Sequence, residues 1–401
     1  MNTNQHKKAS PDAQKCGRGN GCPLYKKCGG CQLNNMTYEE QVAYKLRREI
    51  SLLGKFGRVS DVIAMEHPLH YRHKVQAAFG QGRGGVISGV YQSSTHKIVP
   101  VDDCAIEDET ADRIIVSVRQ LAASFGLKPF CEETMRGFLR HVLVRRGYAT
   151  GQVLVVLVTA TAAFPKRRAF MDALLLRHPE ITSVVQNVNP HFTSLVLGKE
   201  MQVLYGDGYI EDQLLGLTFR ISPSSFYQVN PQMTEILYQT AIDFLDLSGG
   251  ERVIDAYCGT GTIGMLLAPH AGEVFGVEQN GDAVRDAVAG AKRNKLSNIR
   301  FFKADAGRFM LSMAEEGERA DAVMMDPPRA GSDARFLRSL CTLAPEKVVY
   351  ISCNPETLAR DLWYLVKHGY KVKKIQPVDM FPHTEHIETV VLLTRGGGAQ
   401  M

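Results

Sequence analysis

The stretch RVIDAYCGTGTIGM, residues 252–265, joins a short apolar run to a glycine-rich turn and then to the start of a helix. Its glycines at 259, 261 and 264 allow a tight turn and let a ligand come close to the beginning of that helix. A glycine-rich turn after a strand is weak evidence by itself, because nicotinamide dinucleotide sites use the same layout. The residues that follow it decide the fold class.

The chain beyond residue 216 repeats one unit, an apolar strand followed by a helix. This alternation predicts an α/β fold with a largely parallel, doubly wound sheet. A short loop separates the last two strands, which predicts an antiparallel hairpin at one edge. Seven strands with that ending resemble the class I methyltransferase variant of the Rossmann fold. The predicted strands are RVIDAY, EVFGVE, IRFFKA, AVMMD, KVVYIS, KVKKIQPV and TVVLLT.

Composition and periodicity divide the chain into three predicted domains. Residues 1–58 contain eleven Lys and Arg against four Asp and Glu, which indicates a polyanionic partner or a solubilising face. This segment is rich in cysteine and ends in a helix whose apolar positions are Tyr38, Val42, Leu46, Ile50 and Leu53. Residues 59–215 mix strands with helices and predict a central α+β domain. Residues 216–401 form the sheet domain.

Targeting signals are missing from the sequence. No apolar run reaches the 18 residues of a membrane span, and the charged N-terminus has no apolar core of the kind that secretory signals carry. We therefore expect a cytoplasmic monomer, in which the nine cysteines are thiols or metal ligands and not disulfides.

Acidic residues end the second and third strands. Glu278 lies nineteen residues beyond Gly259, where a carboxylate accepts hydrogen bonds from both hydroxyls of a ribose. Asp305 follows the next strand and is placed to meet the adenine end of the same ligand. Each acid alone is also compatible with a merely soluble strand end. The motifs that follow favour S-adenosylmethionine over a dinucleotide.

The fourth strand ends in MMDPPRAG. Two prolines after Asp326 fix the backbone and remove donors, so the loop is predicted to hold this carboxylate in place. Methyltransferases that act on exocyclic amines follow such a proline pair with an aromatic residue, which stacks on the target base. Arg329 stands at that position, so amine methylation is disfavoured.

A cysteine ends the fifth strand, in YISCNPETLARD, residues 350–361. Cys353 is either a packing residue or a nucleophile. The second role is open to it because the helix that starts just after it can lower the pKa of the thiol from about 8.5. Glu388 immediately precedes the last strand. Pyrimidine C5 methylation needs this pair, since a thiolate must add at C6 and a base must then remove the C5 proton.

The motifs DAYCGTGTIG, FYQVNP, DPPRAG, SCNPETLARD and HIETV together resemble those of the RNA 5-methyluridine (uracil-C5) methyltransferases. The likeness runs from Cys22 onward. It implies that Cys353 is the nucleophile and that Glu388 takes the C5 proton. It also implies S-adenosylmethionine as methyl donor, with the family's cofactor positions falling on Gln228, Tyr257, Thr262, Glu278, Asp305 and Asp326.

Four cysteines near the N-terminus remain. Cys22, Cys28 and Cys31 are spaced C-x5-C-x2-C, with Cys16 just upstream. Zinc ribbons normally have two close pairs, whereas three close thiols and a distant one suit an iron–sulfur cluster better, and zinc stays the alternative. The family resemblance implies a [4Fe–4S] cluster whose remote fourth ligand is Cys104, with Cys16 as a spare.

The family's larger members carry an N-terminal β-barrel that binds RNA, and the residues before Cys22 are too few for one. We therefore expect the cluster region and the central domain to bind RNA through phosphate contacts and base stacking. Residues available for this are Tyr71, Arg72, His73, Lys74, Arg136, Arg140, Arg145, Arg146, Lys166, Arg167 and Arg168. The expected substrate is 23S ribosomal RNA. Transfer RNA is the runner-up, and a non-catalytic RNA-binding assembly factor is the rival.

Overall fold

The computed structural model describes residues 21–93, 95–191, 193 and 195–396. Cys16 and the rest of residues 1–20 lie outside this range. The described chain contains two seven-stranded sheets and a separate two-stranded hairpin. Within these residues, no helix combines the length and the apolar character that a membrane span requires.

The C-terminal sheet confirms the predicted seven strands, which are largely parallel and end in an antiparallel hairpin at one edge. Its first five strands are parallel and the last, β16, runs antiparallel between β14 and β15. The strand order is β12-β11-β10-β13-β14-β16-β15. The strands are β10 (Arg252–Ala256), β11 (Glu273–Glu278), β12 (Ile299–Lys303), β13 (Ala322–Met325), β14 (Lys347–Ser352), β15 (Tyr370–Val378) and β16 (Glu388–Arg395). Glu388, predicted to precede the last strand, is its first residue.

Helices cover both faces of this sheet, because its strands are apolar on both sides. Several begin with a side-chain cap that fixes the strand-to-helix turn, as Asn354 does for the helix after β14. The helices are α5 (Pro231–Leu245), α6 (Thr262–Leu267), α7 (Gly281–Arg293), α8 (Ala306–Glu315), α9 (Ala334–Leu343) and α10 (Pro355–Lys367), with a 3-10 turn at Ala268–His270.

The central domain is the predicted α+β unit. Its sheet, ordered β3-β2-β1-β4-β5-β6-β7, is antiparallel except between β5 and β6. Two helices, α3 (Glu109–Phe125) and α4 (Arg167–Arg177), cover one face. The strands are β1 (Lys74–Gly82), β2 (Gly85–Tyr91), β3 (Ile98–Pro100), β4 (Leu139–Arg146), β5 (Val153–Thr159), β6 (Ile181–Val188) and β7 (Glu200–Tyr205). The separate hairpin, β8 (Ile210–Leu214) and β9 (Leu217–Ile221), spans residues 215 and 216.

The N-terminal segment packs against the C-terminal domain. It contains a short helix, α1 (Tyr25–Cys28), and the predicted helix α2 (Tyr38–Leu53), which begins with a Thr37–Glu40 capping box. Just after α2, Val59 and Ile63 form parallel bridges with Ile375 and Val378 on the edge strand β15. The domain limits at 58 and 215 stay predictions.

The buried face of α2 differs from the predicted one. Its fully buried side chains are Gln41, Lys45, Glu49 and Leu53, whereas Ile50, expected on the apolar face, is 49% exposed. The polar residues are buried because the C-terminal domain supplies partners for each of them.

Candidate functional site

Strand register brings the predicted site residues to one edge of the C-terminal sheet. Ala256 pairs with both Val277 and Met325, so the residues that end β10, β11 and β13 lie side by side. In the antiparallel pair β14–β16, Ser352 pairs with Thr389. The same register, continued by one residue, puts Cys353 opposite Glu388. The structure thus brings the two predicted catalytic residues together.

A cavity of about 140 Å³ opens at Cys353. Its walls come from the turn after β14, the loop before β16, the DPPR loop and helix α2. The lining residues are Arg48, Arg329, Cys353, Asn354, Pro355, Glu356, Glu385, His386 and Ile387. Arg48 donates hydrogen bonds to Glu356 Oε1 (2.6 Å) and to the carbonyl of Glu385 (3.2 Å), which closes one side of this pocket.

The expectation that the helix start lowers the pKa of Cys353 is wrong for the free protein. Burial raises the pKa of the thiol to about 11, and the nearby Glu388 and Asp326 raise it further, while Arg329 opposes them. Desolvation and like charge outweigh the dipole of one helix end. Cys353 is therefore a thiol at neutral pH in the free protein.

The two carboxyl groups beside Cys353 are also shifted. Burial and then the neighbouring Asp326 raise the pKa of Glu388 well above its ordinary value, although Arg329 lowers it. Glu388 is 5% exposed. Asp326 is half-buried, and desolvation raises its pKa to about 7. Burial makes each of these carboxylates a stronger base once it is ionised.

Glu278 and Asp305 are held next to the glycine-rich turn. Glu278 accepts hydrogen bonds from the backbone N–H of Gly259 (3.1 Å) and of Asn280 (2.7 Å). Asp305 caps α8 through the N–H of Arg308 and accepts from Gln279 Nε2 (2.8 Å). These hydrogen bonds fix the orientation of both carboxylates. The two residues lie at the ends of neighbouring strands, which is where the sequence predicts them.

Tyr257 occupies the turn directly after β10, with a left-handed φ of 64°. Such a φ is strained for a bulky residue and is tolerated where the surroundings fix it. Its ring packs at 4.8 Å against Phe336 and its hydroxyl reaches Ser332 Oγ at 3.5 Å. The following turn contains Gly259 (φ 54°) and Gly261 (φ 78°), as expected for a backbone that a ligand approaches closely.

Gln228 and Thr262 lie on the other side of the same turn. Together with Phe226 and Tyr227 they line a small recess. Thr262 also borders a cavity of about 80 Å³ whose wall includes Phe226. Phe226 is 71% exposed, so an aromatic ring stands free at the rim of the recess.

Sequence reasoning missed further residues of the site. Asp255 is buried in β10, and its pKa is raised to about 8 by desolvation. Its Oδ2 accepts from the N–H of Gly264, while Oδ1 has no partner in the described structure. Tyr238 on α5 is buried beside Gln228, Asp326 and Glu388. The quoted DAYCGTG motif contains Asp255, whereas no local pattern marks Tyr238 or Arg48.

The structure also brings the four predicted metal ligands together. Cys22, Cys28, Cys31 and Cys104 line one cavity of about 420 Å³, bordered by Arg72 and Lys74. Across residues 21–93, 95–191, 193 and 195–396, no three His, Cys, Asp or Glu side chains are arranged to hold a metal ion. The thiols share a cavity without converging as the ligands of a single ion.

Several residues expected to be available to RNA are buried. Tyr71, His73, Arg140 and Arg145 are each less than 9% exposed. Arg140 and Arg145 bind backbone carbonyls of nearby loops, Asn189 and His191 for the first, Pro223 and Ser225 for the second. These side chains therefore hold the fold, and the remaining basic residues of the central domain stay candidates for phosphate contacts.

Known proteins share this sequence and fold. The model of the tRNA (Uracil-5-)-methyltransferase family matches residues 195–396. An RNA methyltransferase of Halalkalibacterium halodurans is 43% identical over 96% of this chain and 84% of its own. A Bacillus cereus RNA methyltransferase is 42% identical over 93% of this chain and 82% of its own.

A solved structure has the same architecture. It is the tRNA (uracil-54, C5)-methyltransferase of Pyrococcus abyssi in complex with S-adenosyl-L-homocysteine, 26% identical with a TM-score of 0.77. The match covers 91% of this chain and 86% of the archaeal one. The chain therefore belongs to the family of S-adenosylmethionine-dependent RNA uracil-C5 methyltransferases.

Proposed function

We propose that this protein methylates C5 of a uridine in 23S ribosomal RNA through a covalent Cys353–C6 adduct. The observation that carries the proposal is the opposition of Cys353 and Glu388 across the end of β14 and β16, beside a cavity open to solvent. A thiol and, opposite it, a buried carboxyl group are the two groups that uracil C5 chemistry needs.

The proposed mechanism assigns one task to each residue. Cys353 Sγ, once deprotonated, adds to C6 of the uracil, and the electron pair of the C5–C6 bond moves onto the C4 carbonyl as an enolate. S-adenosylmethionine supplies an electrophilic methyl group, which the nucleophilic C5 accepts. Glu388 then removes the C5 proton, and the returning electron pair expels the Cys353 thiolate. In its ionised form the buried Glu388 is a stronger base than an exposed carboxylate, because burial raises its pKa.

S-adenosylmethionine fits the residues at the strand ends. The fixed carboxylate of Glu278 would accept the ribose hydroxyls, and Asp305 would face the adenine. The other positions that the resemblance assigns to the cofactor are Gln228 and Thr262, which line one recess, Tyr257 directly after β10, and Asp326 directly after β13. The positive φ values at the glycine-rich turn leave room there for a ligand close to the backbone.

We also propose a [4Fe–4S] cluster at Cys22, Cys28, Cys31 and Cys104. Such a cluster attaches each thiolate to a different iron, so its ligands must surround a cavity and need not converge on one ion. These four thiols line one cavity of about 420 Å³, which supports the proposal. Arg72 and Lys74 on its wall would offset the negative charge of the bound thiolates.

The protein acts as a cytoplasmic monomer under this proposal. A reducing compartment keeps Cys353 in the thiol form that the reaction requires.

Methyl transfer to defined RNAs tests the function. Purified protein with methyl-labelled S-adenosylmethionine should label unmodified 23S ribosomal RNA, and mass spectrometry should identify the product as 5-methyluridine. Transfer RNA is the second candidate substrate, because the matching family and the Pyrococcus abyssi enzyme are both named as tRNA methyltransferases. Labelling of transfer RNA alone would reassign the substrate. Labelling of neither RNA would favour the non-catalytic assembly factor.

A further inference from the structure

Residues 379–387, here called the base loop, connect β15 to Glu388 at the start of β16. We propose that side chains from the N-terminal segment and from residues 65–71 position Glu388 by holding this loop. Lys45 and Tyr71 are the principal positioning residues. The inference rests on the proposed role of Glu388 as the base that releases the methylated RNA.

Other parts of the chain bind the backbone carbonyls of the base loop one after another. Asn230, which caps α5, donates to the carbonyl of Met380 at 3.0 Å. The carbonyl of Pro382 accepts from the Tyr71 hydroxyl at 2.9 Å. The backbone N–H of Leu33 donates to the carbonyl of His383 at 3.0 Å. A loop bound in this way has little freedom of its own.

Lys45 makes the most buried of these contacts. Its ammonium donates to Asp379 Oδ1 at 2.6 Å and to the carbonyl of Phe381 at 3.1 Å, with both charged side chains 1% or less exposed. The hydroxyl of Tyr38 donates to the second oxygen of Asp379. A buried ion pair is costly unless its geometry is good, so its two partners must stay in place. The pair with Lys45 therefore fixes Asp379, the first residue of the base loop.

Helix α2 binds the base loop in its middle as well as at both ends. Gln41 binds the middle, accepting from the His383 N–H at 2.9 Å and contacting His383 Nδ1 at 3.1 Å. One turn further along the helix from Lys45, Glu49 Oε2 accepts from the hydroxyl of Thr389, the residue after Glu388. The spacing of these residues places them on one face of α2. A shift of this face would therefore move the carboxylate of Glu388 relative to Cys353.

The step that depends on Glu388 is the one that should suffer when these contacts are lost. A base displaced by 1 Å can slow its reaction by about 100-fold. Cys353 directly follows β14 and makes none of the base-loop contacts described above, so its addition to C6 should survive. The variants Lys45→Met and Tyr71→Phe should therefore accumulate covalent RNA–protein adduct with ordinary uridine RNA, while S-adenosylmethionine affinity stays unchanged. Lys45→Arg should restore release.

Tyr71→Phe keeps the shape of the side chain, so it reports on the contact even if Lys45→Met fails to fold. Arg47→Met, on the exposed face of the same helix, is the matched control and should release product as the parent protein does. Release at the parent rate by Tyr71→Phe and by folded Lys45→Met would overturn the inference. Equal loss of adduct formation and of release would also overturn it, because that pattern indicates general unfolding. Failure of the parent protein to trap 5-fluorouridine RNA would instead overturn the proposed function.

Discussion

Cys353 and Glu388 stand opposite each other where β14 and β16 end, one position beyond the paired residues Ser352 and Thr389. Antiparallel pairing of the two strands sets this relationship at the level of the backbone. The charge of Glu388 also raises the pKa of the half-buried Cys353 thiol.

Removing the thiol should abolish covalent trapping. With RNA that carries 5-fluorouridine at the target site, the parent protein should form a denaturation-resistant adduct, because fluorine cannot leave as a proton does. Cys353→Ala should form none on denaturing gels. Cys341→Ala removes another half-buried thiol, away from the pocket, and should trap RNA normally. An adduct on Cys353→Ala would assign the nucleophile elsewhere.

Removing the base should block release but not addition. Glu388→Gln keeps the shape of the side chain and cannot accept the C5 proton, so methylated RNA should remain attached to Cys353. Denaturing gels with ordinary uridine RNA should show this complex accumulating. Glu385→Gln alters an exposed carboxylate of the same pocket and serves as control. Normal turnover by Glu388→Gln would mean that water or another residue takes the proton.

The pH dependence of thiol alkylation should report the environment of Cys353. Burial, reinforced by Glu388 and Asp326, raises its pKa to about 11, so the reactive thiolate is scarce at pH 7. Its rate with iodoacetamide should rise about tenfold per unit between pH 7 and 9, because only the thiolate reacts. Peptide-resolved mass spectrometry measures this beside Cys131, an exposed thiol whose pKa is lowered chiefly by hydrogen bonding to Thr134. A plateau for Cys353 below pH 9 would contradict the expectation.

The sheet domain could be predicted because its signals are local. Each strand is a continuous apolar run, and the chemistry lies where those runs end, so Glu278, Asp305, Asp326 and Cys353 follow from position alone. The direction of the Cys353 pKa could not be predicted, because it depends on burial and on Glu388, which only the folded sheet brings close.

The docking of α2 was also beyond sequence reasoning. A periodicity argument assigns polar side chains to solvent. Gln41 and Lys45 are instead buried against partners more than 300 residues away along the chain. Burial of a lysine is favourable only when such a partner exists, and no local pattern reveals Asp379. Arg48 also could not be predicted to line the pocket at Cys353, because its partners, Glu356 and Glu385, lie more than 300 residues away along the chain.

The cysteine site should hold iron. Protein purified without oxygen should be brown and contain about four irons per chain. Cys104→Ser should lose the iron and weaken RNA binding more than S-adenosylmethionine binding, since none of the proposed cofactor residues lines the cavity. Cys131→Ser, outside the cavity, should keep both. Stoichiometric zinc without iron would refute the cluster, and undiminished RNA affinity in iron-free Cys104→Ser would show that the cluster does not help to bind RNA.

Glu49 should make the folded protein less stable as the pH rises. It is fully buried, its Oε1 has no hydrogen-bond partner in the part of the chain that the structure describes, and desolvation raises its pKa from 4.5 to about 7. Between those values the folded protein keeps a proton that the unfolded chain has lost. The contribution of Glu49 to the free energy of unfolding is therefore fully present below pH 4.5. It is lost as the pH rises to about 7, by a total of about 3 kcal/mol.

Glu49→Gln removes this titration and keeps the acceptor for the hydroxyl of Thr389. The variant should melt at a higher temperature than the parent protein at pH 8, and the difference should shrink towards pH 5. Thermal unfolding at both pH values measures it, with Glu66→Gln, an exposed carboxylate, as the control. A gap in melting temperature that is equal at pH 5 and pH 8 would show that Glu49 stays ionised in the folded protein. Glu49 binds Thr389, the residue next to Glu388. A titration in this part of the protein would then have to be measured at Glu388 and not at Glu49.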